Sequence, residues 1–368
     1  MKVAILTSSR ADYGIYLPLL KALKEDSFFE LNIIVFGTHV STKYGNTIDR
    51  IFADGFDISL TVDSIPEDDS PVSISKSMGV TMDSFSAIWD NNSFDLVIAL
   101  GDRYEMFAAC ASVLPFGLPI AHIHGGETTL GAIDDAFRNS ITHMATLHFT
   151  IANEYCKRVI ELKGSDKYVY NVGALSIDNL KTLRLLSKEK FKEQFNIDLK
   201  IPSILVTFHP ETVDFQMNKK YIGELISAMW EFSDYQIVIT MPNADTMGNM
   251  IREKLIAFIK HNKNAIGVES LGTLGYLSCM KHCSFMLGNT SSGFVEASYF
   301  PKYVVNLGRR QLGRLKTENI YNCQLKKNKI IEAVNNYKTF KPTKPIDIYG
   351  DGNAANKIIS ILKSIKFE

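Results

Sequence analysis

Short apolar runs rich in valine, isoleucine and leucine recur along this chain, and most of them end in a polar, glycine-containing loop. The first run, Met1–Thr7, is followed by a polar turn and by an amphipathic segment typical of a helix. Apolar runs that alternate with helical segments indicate a parallel sheet covered by helices on both faces. The first half of the chain holds four further runs of this kind: Phe29–Phe36, Asp95–Leu100, Leu118–Ile123 and Leu147–Ala152.

The pattern restarts after a charged segment, Leu180–Phe195. The second set of predicted strands is Ser203–Phe208, Gln236–Thr240, Ser284–Leu287 and Lys302–Leu307. A chain of 368 residues is long enough for two domains that each bury a core. We therefore expect an α/β protein of two Rossmann-like doubly wound domains, residues 1–178 and 179–351, facing a cleft that holds a ligand. A C-terminal helix over 352–368 is expected to pack back on the first domain.

The charge of the chain sums to zero, with 40 Lys and Arg against 40 Asp and Glu. Residues 1–180 hold 13 basic and 23 acidic residues, so the two halves differ in sign. This asymmetry fits either solvated helix faces or a domain that supplies carboxylates beside one that holds an anion. The zero sum argues against a nucleic acid or an anionic membrane as partner.

Targeting and redox features point to the cytoplasm. No stretch approaches the roughly 20 apolar residues of a membrane span. The N-terminal segment lacks the apolar run and cleavage site of a signal peptide. The five cysteines are scattered, without a CxxC pair, which favours free thiols in a reducing compartment over disulfides or a zinc site.

A loop rich in small residues, Gly288–Gly293 (GNTSSG), precedes a predicted helix over Phe294–Tyr299. Its backbone N–H groups, with the hydroxyls of Thr290 and Ser291, would suit a phosphate. An ordinary turn with a helix N-cap is the alternative, because neither a Walker A loop nor GxGxxG is present. Glu296 could accept hydrogen bonds from ribose hydroxyls or face solvent.

Two arginines, Arg10 and Arg310, follow predicted strands in different domains. Guanidinium groups bind phosphate oxygens in a bidentate manner, so the pair would suit a diphosphate, although an arginine in a loop is commonly only solvated. His209 also stands at a strand end and is expected to point into the cleft.

The densest polar loops of the first domain hold Asp102, His124, Glu127 and Asp134, which could form a proton-transfer set. Asp135 is expected to be a helix N-cap instead. His122 and His124 alternate along a strand, so a metal is conceivable, but no further ligand has suitable spacing.

Eight motifs in order resemble the hydrolysing UDP-N-acetylglucosamine 2-epimerases of sialic-acid and legionaminic-acid biosynthesis. They are SRADYG (9–14), GDR (101–103), HIHGGE (122–127), GAIDDAFR (131–138), HP (209–210), GNTSSGFVE (288–296), NLGRRQLGR (306–314) and YGDGNAA (349–355). The resemblance implies the GT-B architecture, UDP held mainly by the C-terminal domain, a homodimer, and chemistry without metal or other cofactor. It also implies anti elimination of UDP to a 2-acetamidoglycal, followed by addition of water, which gives UDP and a free sugar of manno configuration.

By this resemblance, Asp102 and Asp134 match carboxylates that transfer protons, and His209 matches a histidine near the diphosphate. The same comparison assigns Arg10, Asn289, Thr290, Ser291, Glu296 and Arg310 to the UDP site. Many members that use UDP-GlcNAc carry a catalytic glutamate where this chain has His124, so the base and the acid stay unassigned here. A neutral histidine is itself a competent general base near neutral pH.

Several readings stay open from the sequence. Both UDP-GlcNAc and UDP-N,N′-diacetylbacillosamine fit as substrates, since HIHGGETTLGAID resembles the branch that acts on the latter. A GT-B glycosyltransferase with a UDP-sugar donor is the alternative enzyme, and a UDP-sugar-binding regulatory module without catalysis is a third reading.

Overall fold

A computed structural model describes residues 1–41, 47–242, 245–341 and 344–366. The chain forms two compact units. The first unit comprises Met1–Glu127, Asp134–Thr182 and Ile348–Glu368, and the second comprises Thr128–Ile133 and Leu183–Asp347. Within the described residues, no helix combines the length and the apolar composition needed to cross a membrane.

The first unit is built on a parallel sheet with the strand order β3-β2-β1-β4-β5-β6-β7. Its strands are β1 (Lys2–Thr7), β2 (Glu30–Val35), β3 (Leu60–Thr61), β4 (Leu96–Leu100), β5 (Ile120–Ile123), β6 (Leu147–Thr150) and β7 (Val169–Asn171). Its helices are α1 (Arg10–Glu25), α2 (Ile48–Ala53), α3 (Pro71–Asn91), α4 (Tyr104–Val113), α5 (Asp134–Met144), α6 (Asn153–Lys163), α7 (Leu175–Thr182) and the C-terminal α14 (Ala354–Ser364). The order reverses between β1 and β4, a point where open α/β sheets bind ligands.

The second unit repeats this design with the strand order β10-β9-β8-β11-β12-β13. Its strands are β8 (Ser203–Thr207), β9 (Gln236–Thr240), β10 (Ala265–Val268), β11 (Phe285–Gly288), β12 (Val304–Leu307) and β13 (Ile320–Cys323). Its helices are α8 (Lys188–Phe195), α9 (Asn218–Met229), α10 (Gly248–His261), α11 (Gly272–His282), α12 (Glu296–Tyr299) and α13 (Lys327–Asn336). The expected class, two doubly wound α/β sheets of the Rossmann type, is confirmed.

The cores lie on both faces of each sheet. Every residue of the central strands β4, β8 and β9 is buried. In the first sheet, alternate side chains of β1 enter different clusters, with Val3 and Ile5 on one face and Ala4 and Leu6 on the other. This double burial explains why these strands are apolar throughout instead of alternating with polar residues.

The C-terminal helix α14 is shorter than the expected span of 352–368, of which residues 367 and 368 lie outside the described part. Its first backbone N–H groups, at Ala354 and Ala355, donate to the Asp178 carboxylate at 3.0 and 2.8 Å. This capping satisfies two of the N–H groups that a helix start leaves open. It fixes α14 within the first unit.

The segment Thr128–Ile133 belongs to the second unit although it lies between two elements of the first, β5 and α5. The backbone N–H of Leu130 donates to the Leu312 carbonyl at 2.9 Å, and the N–H of Thr212 donates to the Gly131 carbonyl at 3.2 Å. The expected boundaries at 178 and 351 did not include this excursion. The units change at 182–183 and 347–348 instead, because α7 continues to Thr182.

Gly288, at the end of β11, has φ 149°, a conformation that L side chains rarely adopt. A Cβ at this position would collide with the Thr207 carbonyl oxygen on β8. We expect Gly288→Ala to lower the free energy of unfolding by about 1–3 kcal/mol, since backbone strain and overpacking act together. Urea titration of the purified variant measures this loss.

Gly223→Ala in the exposed face of α9 is the matched control, because a Cβ there meets no atom within 4 Å. Alanine is preferred over glycine in a helix, so this variant should match or slightly exceed the wild type in stability. Equal stability of the two variants would contradict the strain argument for Gly288.

Candidate functional site

Asp102 lies directly after β4, where Gly101 turns the chain with φ 82°. Its carboxylate forms an ion pair with the Arg138 guanidinium of α5. Arg138 is only 1% exposed and also donates to the Glu127 carbonyl at 3.1 Å. A guanidinium stays charged in proteins, so this pairing favours the ionised form of Asp102. Arg138 was not among the site residues predicted from the sequence.

His124 lies directly after the neighbouring strand β5 and has a left-handed backbone, φ 71°. Such a conformation is uncommon for a residue with a Cβ and costs energy, and it clusters at functional sites. The His124 Nδ1 atom lies 2.6 Å from Glu127 Oε1. The Glu127 side chain is almost fully buried, so this pair is shielded from solvent.

The Glu127 carboxylate determines which nitrogen of His124 carries the proton. An ionised carboxylate only accepts hydrogen bonds, so a neutral imidazole beside it must donate from Nδ1. The lone pair then resides on His124 Nε2. This nitrogen is buried and has no hydrogen-bond partner among the described residues. The arrangement gives an oriented imidazole base with a carboxylate behind it.

His122 has a structural role. Burial lowers the pKa of His122 to about 4, so the ring is neutral at physiological pH. Its Nε2 atom lies 2.8 Å from the Gly101 carbonyl and its Nδ1 atom 3.1 Å from Thr142 Oγ1. Both nitrogens are therefore occupied, and His122 supports the backbone beside Asp102. Among the described residues, no group of three or more His, Cys, Asp or Glu could hold a metal ion.

Arg10 and Asp134 occupy the first positions of α1 and α5. The turn that carries Arg10 is fixed by Asp12, which accepts hydrogen bonds from the N–H groups of Ser8 and Ser9 at 2.8 and 3.0 Å. Burial disfavours the Asp12 carboxylate, but hydrogen bonding and charge from His39 outweigh burial and lower the pKa of Asp12. Asp135 follows Asp134 inside the first turn of α5 and is not the N-cap expected from the sequence.

In the second unit, the Asn289 side chain holds the loop that carries His209. The His209 N–H donates to Asn289 Oδ1 at 2.7 Å, and Asn289 Nδ2 donates to the His209 carbonyl at 2.8 Å. Asn289 is fully buried. The Asn289 amide is therefore hydrogen-bonded to the backbone of His209, and Asn289 positions that residue.

Arg310 is bound to the same region. It donates to the Pro210 carbonyl at 2.6 Å and to Asp245 Oδ2 at 3.2 Å. Pro210 follows His209 in the chain, so the histidine, Asn289 and Arg310 are brought together by short contacts within one unit. The Asp245 carboxylate keeps the guanidinium oriented.

The GNTSSG loop follows β11 as predicted, but the chain after it differs from the expected helix over Phe294–Tyr299. A 3-10 turn, Ser291–Gly293, comes first, and α12 begins only at Glu296. Thr290 caps the 3-10 turn, since its Oγ1 accepts from the Ser292 N–H at 3.4 Å. Ser291 is exposed and Glu296 is half-buried.

The two doubly wound parallel sheets define a protein of the GT-B-like class, and comparison with known proteins narrows this class. The family described as UDP-N-acetylglucosamine 2-epimerase matches residues 21–363. The chain belongs to this family and is an enzyme of it. Arg10 lies before the matched range.

Similarity to individual known proteins supports this assignment. The polysialic acid biosynthesis protein P7 of Escherichia coli is 36% identical over 91% of this chain and 85% of its own length. The hydrolysing GDP/UDP-N,N′-diacetylbacillosamine 2-epimerase of Campylobacter jejuni is 33% identical, over 88% of this chain and 84% of its own length. The UDP-GlcNAc 2-epimerase of Neisseria meningitidis, solved with UDP-GlcNAc bound, superposes with a TM-score of 0.83 over 99% of this chain and all of that one. At 15% identity, that likeness shows the fold alone.

Proposed function

We propose that this enzyme is a hydrolysing UDP-N-acetylhexosamine 2-epimerase. The reaction removes the proton from C2 of the sugar while UDP leaves C1 with the bonding electron pair, which gives a 2-acetamidoglycal. Water then adds its hydroxyl to C1 and a proton returns to C2 on the other face. The products are UDP and the free sugar epimerised at C2.

The observation that carries this proposal is a pair of separate proton acceptors at the ends of neighbouring strands. One is Asp102 after β4, ion-paired with Arg138, and the other is His124 after β5, oriented by Glu127. Inversion at C2 needs proton transfer on both faces of the sugar, so two distinct groups suit it. Asp134, at the start of α5, is assigned to the same proton-transfer set.

In this proposal the second unit holds the UDP. Thr290 and Ser291 donate to the diphosphate, Glu296 accepts from the ribose, and Arg10 and Arg310 neutralise phosphate charge. His209 lies near the diphosphate, and its loop is held by Asn289.

Incubation of the enzyme in D2O without an acceptor sugar tests the reaction. UDP-GlcNAc and UDP-N,N′-diacetylbacillosamine are supplied separately, because the relative from Campylobacter is named for the latter and the structural neighbour from Neisseria binds the former. We expect UDP together with a free manno-configured sugar that carries deuterium at C2. UDP release without deuterium at C2 would indicate simple hydrolysis. Absence of turnover when no acceptor is supplied would favour a glycosyltransferase. Absence of turnover combined with tight UDP binding would favour a regulatory module.

Glu296→Ala is expected to weaken UDP binding about ten- to hundredfold, because a charge-assisted hydrogen bond to the ribose is lost. Isothermal titration with UDP measures this change. Glu332→Ala is the control, since Glu332 is exposed on α13 and pairs only with Lys329 among the contacts described. Wild-type affinity in Glu296→Ala would remove Glu296 from the UDP site.

We also propose a homodimer located in the cytoplasm. Free thiols at all five cysteines support a reducing compartment. Light scattering of the purified enzyme tests the dimer.

A further inference from the structure

A chain of hydroxyl groups runs beneath the GNTSSG loop and ends in it. Thr240 Oγ1 lies 2.7 Å from Thr207 Oγ1, which lies 3.4 Å from the Tyr276 hydroxyl. The Tyr276 hydroxyl lies 2.7 Å from Ser292 Oγ, and Ser292 Oγ lies 3.1 Å from Thr290 Oγ1. Five hydroxyls from β9, β8, α11 and the loop are thus connected.

Tyr276 stands in the middle of this chain and remains protonated. Burial raises the pKa of Tyr276 to about 12, and the nearby charge of Glu296 acts in the same direction. The group therefore has one proton to donate at physiological pH and can accept from Thr207. The threonines behind it, Thr207 and Thr240, are buried.

The direction of the hydrogen bonds decides what the loop can bind. The oxygens of a diphosphate accept hydrogen bonds, so a loop hydroxyl that contacts them must donate outward. Each hydroxyl has a single proton. Ser292 can point its proton towards Thr290 or a ligand only if Tyr276 donates to Ser292, and not the reverse. Aligned hydroxyls also polarise one another, which strengthens the last donor.

We infer that Tyr276 is a positioning residue for the phosphate loop: its hydroxyl donates to Ser292, Ser292 in turn donates to Thr290, and the Thr290 hydroxyl is thereby turned towards the phosphates of the bound nucleotide. This inference rests on the proposed function, in which the loop holds the diphosphate. It adds Ser292 to the loop residues that serve the phosphates. Ser291, by contrast, takes no part in the hydroxyl chain.

Tyr276→Phe tests the role of the hydroxyl because the ring is kept. Binding of UDP and of uridine is measured by titration calorimetry, with uridine at millimolar concentration. We expect affinity for UDP to fall about five- to tenfold, the size of one lost hydrogen bond, while affinity for uridine is unchanged. In turnover assays KM should rise with little change in kcat.

Tyr303→Phe is the matched control. The buried Tyr303 hydroxyl donates to the Ala333 carbonyl at 3.0 Å, in the core of the same unit and outside the hydroxyl chain. The Tyr303→Phe variant lacks the same atom and one hydrogen bond, so its stability should fall while its affinity for UDP stays unchanged. Thermal midpoints of both variants establish that they are folded.

A double-mutant cycle with Ser292→Ala completes the test. If Tyr276 acts through Ser292, the double variant should bind UDP no more weakly than Ser292→Ala alone. Additive losses, wild-type UDP affinity in Tyr276→Phe, or equal losses for UDP and uridine would overturn the inference. Failure of the wild type to bind UDP would instead overturn the proposed function.

Discussion

Replacing Asp102 with asparagine is expected to abolish turnover while the affinity for UDP stays near that of the wild type. An amide of the same shape cannot accept a proton, so the loss should reach about 10²–10⁴-fold, the range of general acid–base catalysis. UDP is held by the second unit in our proposal, so its binding does not need the Asp102 charge. Single-turnover release of UDP and calorimetric titration with UDP separate the two effects.

Asp135→Asn is the informative comparison because Asp135 also contacts Arg138, at 3.5 Å. If the role of Asp102 were only to hold Arg138, the two variants would lose similar activity. We expect the loss in Asp102→Asn to be far larger. A parallel loss of UDP affinity in Asp102→Asn would mean that this residue belongs to the nucleotide site.

Replacing His124 with asparagine is expected to reduce formation of the free sugar by about 10²–10⁴-fold, since an amide nitrogen has no basic lone pair. Glu127→Gln should cost less, because the imidazole remains. Rates of formation of the free sugar measure both losses.

Thermal midpoints of both variants separate the loss of a proton acceptor from a loss of packing. His124→Glu places a carboxylate at this position, as the resemblance to members that use UDP-GlcNAc implies, and should retain more activity than His124→Asn. Wild-type activity in Glu127→Gln would show that Glu127 does not act through His124.

The central strands were predictable from the sequence and the edge strands were not. The strands absent from the predicted set are β3 and β7 of the first sheet and β10 and β13 of the second, which are the edges of the two sheets. Central strands are buried on both faces, so they are continuous apolar runs. The edge strands are partly exposed and short, with burial interrupted by half-buried or exposed residues. Their hydrophobic pattern is too weak to distinguish from loops.

The residues of the candidate site also fall into two groups, those that could be predicted from the sequence and those that could not. Residues at strand ends, such as Asp102, His124 and His209, could be found because doubly wound sheets bind ligands there. Arg138 and Tyr276 could not, since each lies within a helix and an isolated sequence does not reveal which helical side chains turn inward. The only sequence signal for Arg138 was its position in the GAIDDAFR motif, four residues after Asp134. The bridging role of Asn289 depends on the pairing of β8 with β11, which is a property of the fold.

The path of the chain has a practical consequence for any attempt to dissect this enzyme. Because 128–133 belongs to the second unit and 348–368 to the first, a gene fragment cut near residue 180 encodes neither unit whole. The N-terminal fragment would lack α14, the helix that Asp178 caps. It would also carry the segment 128–133 without Thr212 and Leu312, to which this segment is hydrogen-bonded. Such fragments should express as aggregation-prone chains, so isolation of either unit requires circular permutation or a grafted linker.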